Sequence, residues 1–146
     1  MKLVDANVLL YAVNTDARHH EDSIRWLDGT LSGRDTVAFS WLVLLAFVRL
    51  ATKDGLFPRP LPVEEATARV EAWLGAGPSV VVHPTADHPR VLAGLLAGVG
   101  VGGNLVNDAH LAALAIGHRC EIVSYDNDFA RFDGVRWVTP AQATTW

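Results

Sequence analysis

An α/β fold with a mostly parallel central sheet, flanked by helices on both faces, is predicted from three observations. Strand-like and helix-like segments alternate along the whole chain. Neighbouring parallel strands need a long crossover, and a helix between them supplies it. Half of the 146 residues are hydrophobic and lie in short runs, enough to bury one substantial core. Residues 1–146 are therefore expected to form one domain, with no internal repeat or low-complexity tail.

Lys2-Leu3-Val4 reads as a strand ended by Asp5, and the apolar stretch Asn7 to Val13 as a buried helix. Glu21 to Leu31 places Ile24, Leu27 and Leu31 on one helical face, and Thr36 to Phe39 is a strand closed by Ser40. Trp41 to Thr52 is a nearly all-apolar helix ended by Gly55, and the proline-rich stretch Phe57 to Pro62 is extended. Val63 to Leu74 is amphipathic, Ser79 to His83 is a β-branched strand, and Asp87 to Leu96 is helical. Beyond a glycine-rich loop come a helix from Asn104 to Ile116, a strand from Glu121 to Tyr125, a helical turn near Phe129, and a last strand around Arg136 to Val138.

Composition narrows the function. No apolar run approaches the ~20 residues that span a bilayer, and Met1 leads directly into a strand-like segment, so neither a membrane anchor nor a signal peptide is expected. The single cysteine, Cys120, sits in an apolar context and is expected to be a buried structural thiol, which points to the cytoplasm. A net charge of −4 argues against a passive nucleic-acid-binding module that lives on phosphate neutralisation. An enzyme that carries cations is less constrained.

In open parallel sheets ligands bind beyond the carboxyl ends of the strands. Asp5 and Asp126 each follow a strand directly, so both project at that edge, and they meet if those strands are neighbours. Asp108 lies in the first turn of the helix that leads into the Glu121 strand, which puts it at the same edge, and Asp128 is two residues past Asp126. Carboxylates brought together repel, and hard oxygen donors of this kind suit Mg²⁺ or Mn²⁺. The competing account is capping: Asp is a common N-cap, and first-turn acids complement the helix dipole.

Three segments resemble the PIN domain, and within it the VapC toxins of bacterial toxin–antitoxin pairs. Leu3-Val4-Asp5-Ala6-Asn7-Val8-Leu9-Leu10 is similar to that family's first motif, Asn107-Asp108-Ala109-His110-Leu111-Ala112-Ala113-Leu114-Ala115 to its third, and Ser124-Tyr125-Asp126-Asn127-Asp128-Phe129 to its last. The resemblance implies that Asp5, Asp108 and Asp126 hold metal, that Asp128 is an auxiliary catalytic acid, and that Asn7 and Ser124 support them. It also implies hydrolysis of an RNA phosphodiester by metal-activated water with Mg²⁺ or Mn²⁺, a homodimer, and a cognate VapB-type antitoxin.

One departure stands out. The second motif of the family usually carries a glutamate on the helix after the second strand, and the corresponding stretch Val43 to Leu50 has Ala46. This implies weaker metal binding, or a catalytically silent PIN-like protein that works by binding a partner or RNA. Asp87, near the same sheet edge, is a candidate replacement, with an N-cap role favoured over it. For RNA, Arg18, Arg49, Lys53, Arg59 and Arg131 are candidates for a local basic rim.

Other signals are set aside. Gly98 to Gly103 has the spacing of a dinucleotide loop, but that fingerprint needs a preceding strand and Val91 to Ala97 reads as helix. His19, His20, His83, His88, His110 and His118 form no short ligand pair of zinc-finger spacing and are read as solvent-facing or locally satisfied. Trp26, Trp41, Trp73, Trp137 and Trp146 are assigned to core or interface before base stacking.

Overall fold

The computed structural model describes residues 1–144. Five parallel strands form one sheet: β1 (Lys2–Val4), β2 (Val37–Phe39), β3 (Ser79–Val81), β4 (Glu121–Val123) and β5 (Trp137–Val138), in the order β3-β2-β1-β4-β5. The helices between them are α1 (Ala6–Val13), α2 (His20–Leu31), α3 (Trp41–Thr52), α4 (Val63–Gly75), α5 (His88–Val99) and α6 (Leu105–His118). A 3-10 turn spans Asn127–Arg131, and a four-residue helix α7 (Pro140–Ala143) follows β5.

Strand order runs outward from β1 to β3, then reverses to β4 and β5. Crossovers are right-handed, so the reversal puts the two sets of connections on opposite faces. The helix contacts divide accordingly: α1 packs on α2 and α3, α3 on α4, and α5 on α6. The central strands are apolar without alternation, since Leu3, Val4, Val37, Ala38, Phe39, Ile122 and Val123 are all fully buried, as a sheet covered on both faces requires.

The helices nearest the centre are apolar on several sides. Helix α3 starts where the Ser40 hydroxyl accepts from the Val43 amide at 3.3 Å, and it buries Val43, Leu44, Phe47 and Ala51. Helix α6 buries Ala109, Ala112, Ala113 and Ala115 with Leu111 and Leu114; small side chains let its axis lie close to its neighbours. It ends with Arg119 in the left-handed region, φ 55°, where the Cys120 amide returns to the Ala115 carbonyl at 2.8 Å. Cys120 is buried as expected.

Several boundaries differ from the sequence reading. Strand β4 ends at Val123 because the Tyr125 amide donates to the Asn7 side chain rather than to a strand. Helix α5 runs on through Gly98 to Val99 and stops at Gly100, whose φ of 76° suits glycine, so only part of the glycine-rich stretch is loop. That stretch follows a helix, as its dismissal as a dinucleotide loop requires. Helix α7 was not foreseen; it is too short for periodicity and is held by a capping box between Thr139 and Gln142.

Trp26 and Trp73 lie in the core, whereas Trp41 stands 47% exposed on the first turn of α3. Trp146 lies outside the described residues. Among the described residues, no helix is long and apolar enough to cross a membrane.

Candidate metal centre

The strand order reverses between β1 and β4, which is where a crevice opens in sheets of this type. Val4 pairs with Val123 in register, so Asp5 and Ser124 leave the sheet side by side. Helix α6 runs back against the strand it precedes, and its first turn therefore delivers Asp108 to this edge. The 3-10 turn after β4 carries Asp126 at its cap and Asp128 in its first turn.

A hydrogen-bonded frame sets these carboxylates. One Asp5 oxygen accepts from the Ala6 amide at 2.7 Å, capping α1. The other accepts from the Ser124 hydroxyl at 2.7 Å and the Asn7 amide group at 3.2 Å. Asn7 also donates to Ser124 Oγ at 3.0 Å and accepts from the Tyr125 amide at 3.2 Å, while Ser124 Oγ accepts from the Asp126 amide at 2.9 Å. Asp126 in turn accepts from the Asp128 amide at 2.8 Å. Capping and clustering are both realised in Asp126, whereas Asp5 caps α1 with one oxygen and has the other engaged by Ser124 and Asn7.

Ser124 is fully buried at the hub of this frame. Ser124→Ala leaves the Asp126 amide without its acceptor and Asp5 without its Ser124 donor, and is expected to cost about 1–2 kcal/mol in urea denaturation. A loss below the measurement error would mean that the frame is held by other contacts.

The carboxylate oxygens of Asp108, Asp126 and Asp128 lie within 4.8 Å of one another. Asp5 is not one of this trio, both its oxygens being engaged in the frame, yet its charge is felt at Asp108. Burial, then the charges of Asp126, Asp5 and Asp128, push the Asp108 carboxyl up from 3.8 to about 7. Burial also raises Asp5, with the Ser124 hydrogen bond opposing it. Such mutual repulsion is what a divalent cation relieves, and an all-oxygen donor set fits a hard ion.

Asp5 and Asp108 line a cleft of about 290 Å³ whose opposite wall is helix α3, through Leu42, Val43, Leu45, Ala46 and Arg49. Ala46 therefore sits in the cleft wall, and no α3 acid faces the centre. Asp87 does not replace it: it lies before α5, beyond the edge strand β3, where it makes no side-chain cap and pairs only with Arg90 at 3.5 Å in solvent.

The basic rim is realised unevenly. Arg49 lines the cleft, and Lys53 caps the C-terminal end of the same helix. Arg131 is tied to Asp128 at 3.9 Å, and Arg59 lines a separate hollow with Asn14 and Asp16. Asn107, beside Asp108, also lines the cleft; only its place in the Asn-Asp pair at the helix start marks it in the sequence.

Two groupings escape sequence spacing. His88 and His110 meet across α5 and α6 at 2.9 Å, so they satisfy each other rather than solvent. His19 stacks on Tyr125 with centroids 4.1 Å apart, and Tyr11 meets Tyr125 edge-on. Of the remaining histidines, His20 is satisfied at the Tyr11 carbonyl and His118 at that of His83, whose own side chain is exposed.

A profile of the PIN domain matches residues 2–135. The chain belongs to the PIN-domain family. Its relatives include Ribonuclease VapC37 of Mycobacterium tuberculosis, 66% identical over 140 residues that cover 96% of this chain and 97% of the relative. Ribonuclease VapC31 of the same species is 41% identical over 96% of this chain and 99% of its own length. Among solved structures, Rickettsia felis VapBC2, bound to a fragment of promoter DNA, aligns with a TM-score of 0.70 at 20% identity, over 94% of this chain and 97% of that one. M. tuberculosis VapC20, described as a sarcin-ricin loop cleaving toxin, aligns at 0.68 and 20% identity, over 93% and 99%. These distant likenesses speak for the fold. Metal dependence is general to PIN-domain nucleases, and the acid cluster of this PIN domain is consistent with it.

Proposed function

We propose that this chain is a metal-dependent endoribonuclease, the toxin of a VapBC-type pair. The observation that carries this reading is the cluster of Asp108, Asp126 and Asp128, framed by Asp5, Asn7 and Ser124, in a chain 66% identical to a protein named as a VapC ribonuclease. Asp5, Asp108 and Asp126 are proposed as the ligand set for Mg²⁺ or Mn²⁺, with Asp128 as the auxiliary acid beside them. The bound ion would supply an activated water and charge stabilisation at phosphorus.

The remaining work falls to the chain itself. Ser124 and Asn7 hold Asp5 by one oxygen, and the capped 3-10 turn keeps Asp126 and Asp128 close to Asp108. The cleft admits a phosphodiester between these acids and helix α3. RNA is the proposed substrate, and a VapB-type antitoxin and a second copy of the chain are the proposed partners. Leu45, 62% exposed in the cleft wall, and Trp41 one turn before it offer apolar surface for a partner segment. Residues 1–146 are taken as one domain acting in the cytoplasm.

A second reading, a silent PIN-like binder, rests on Ala46 in the cleft wall. One experiment separates the two: incubation of the chain with a panel of structured RNAs and Mg²⁺ or Mn²⁺, with and without chelator. Chelator-sensitive cleavage by the given sequence is expected. Cleavage that appears only in Ala46→Glu would leave the fold and site intact but make this chain the silent form.

A further inference from the structure

We infer that Arg49 is a phosphate-binding residue of the cleft, standing on the wall where the family's glutamate is missing, and that Ala46 is what leaves its guanidinium free to act. The inference rests on the ribonuclease reading for its substrate class.

Arg49 lies one turn after Ala46 on α3, and both line the same cleft as Asp5 and Asp108. Residues three apart on a helix are surface neighbours, and an acid placed N-terminal to a base at that spacing pairs with it. A carboxylate at position 46 would therefore claim the guanidinium. With alanine there, Arg49 makes no ion pair among the described residues, although four carboxylates border the same edge. Arg131, by contrast, is tied to Asp128.

The charge pattern this creates suits one ligand class. The side of the cleft formed by Asp5 and the first turn of α6 is acidic and would hold a cation, whereas the α3 side presents apolar groups around one exposed arginine. A phosphodiester laid between them meets positive charge on both sides. Arginine suits this position because its fork binds two phosphate oxygens at once, which a lysine ammonium does not. The chain as a whole carries −4, so a local cation matters more here than on a basic protein. Removing one acid and freeing one arginine both act in the same direction: they favour RNA at some cost in metal affinity.

The test uses the full chain and a fluorescein-labelled single-stranded RNA, with Mn²⁺ affinity measured separately by electron paramagnetic resonance. Arg49→Ala is expected to weaken RNA binding at least tenfold and to lower the salt dependence by about 0.7, the slope for one phosphate contact to a single strand, while Mn²⁺ affinity stays within twofold. Arg49→Lys should recover only part of the RNA binding. Ala46→Glu should tighten Mn²⁺ yet weaken RNA binding, because the new carboxylate pairs with Arg49. RNA binding by Arg49→Ala within twofold of the parent would overturn the inference, as would a parallel loss of Mn²⁺ affinity. RNA binding that depends on Arg49 in a chain that never cleaves would uphold it and sink the ribonuclease reading instead.

Discussion

Asp126→Asn and Asp108→Asn are each expected to lower RNA cleavage by on the order of 10²–10³-fold or more, the scale on which loss of one preorganised electrostatic group is felt. The two residues enter the cluster from different elements, Asp126 from the turn after β4 and Asp108 from the first turn of α6. No other acid of this chain takes their place: Ala46 is neutral and Asp87 lies beyond the edge strand. The same substitutions should leave the metal-free protein slightly more stable, since each removes a repelling charge from a partly buried group. The rise in Tm that Mg²⁺ gives the parent should disappear in both variants. Opposite signs in stability and activity separate a lost ligand from a damaged fold. Full cleavage by Asp126→Asn would remove Asp126 from the site.

Much of this arrangement was legible in the sequence, for physical reasons that can be named. Strands buried on both faces have to be continuously apolar, so Leu3-Val4 and Ile122-Val123 stand out, and the polar residue that ends each one marks the sheet edge. Asp5 is the residue that ends the first strand; Ser124 ends the other, and Asp126 was placed at the edge by reading that strand on to Tyr125, two residues beyond its end at Val123. Their meeting depended on β1 and β4 being neighbours, a long-range pairing that local pattern does not encode and that the sheet order supplies.

What stayed hidden is the side-chain geometry across elements. Asp108 groups with Asp126 and Asp128 across two elements, while both Asp5 oxygens are engaged by Ser124, Asn7 and the Ala6 amide. The His88–His110 contact joins residues 22 apart on two helices, so no ligand-spacing rule could find it. Asp87 illustrates the reverse error. It comes six residues after a strand at the far edge of the sheet, and among the described residues its side chain pairs with Arg90 alone.

Without metal, the protein should become less stable as pH rises from about 4 to 7, and Mg²⁺ should reverse that trend. Asp108 has its carboxyl lifted from 3.8 to about 7 in the fold, chiefly by burial and by the neighbouring acids. Between those values the folded state holds a proton that the unfolded chain has released. Stability is then greatest below about 4 and is lost as pH climbs through 7. Asp5 is shifted in the same direction and adds to the slope. A displacement of this size would be worth about 4 kcal/mol if unscreened, and the half-exposed position of Asp108 reduces it to roughly 1–2 kcal/mol. Histidines oppose it: His110 is lowered by burial and by His88, so its contribution grows with pH. Comparing the parent with Asp108→Asn isolates the carboxylate. A divalent cation binds the ionised acids and competes with the proton, so the Tm gain from Mg²⁺ should be small at pH 5 and largest near pH 8. Melting curves in chelator and in Mg²⁺ across that range give both slopes. Identical slopes for parent and Asp108→Asn in chelator would mean that neither burial nor the neighbouring acids lift the Asp108 carboxyl.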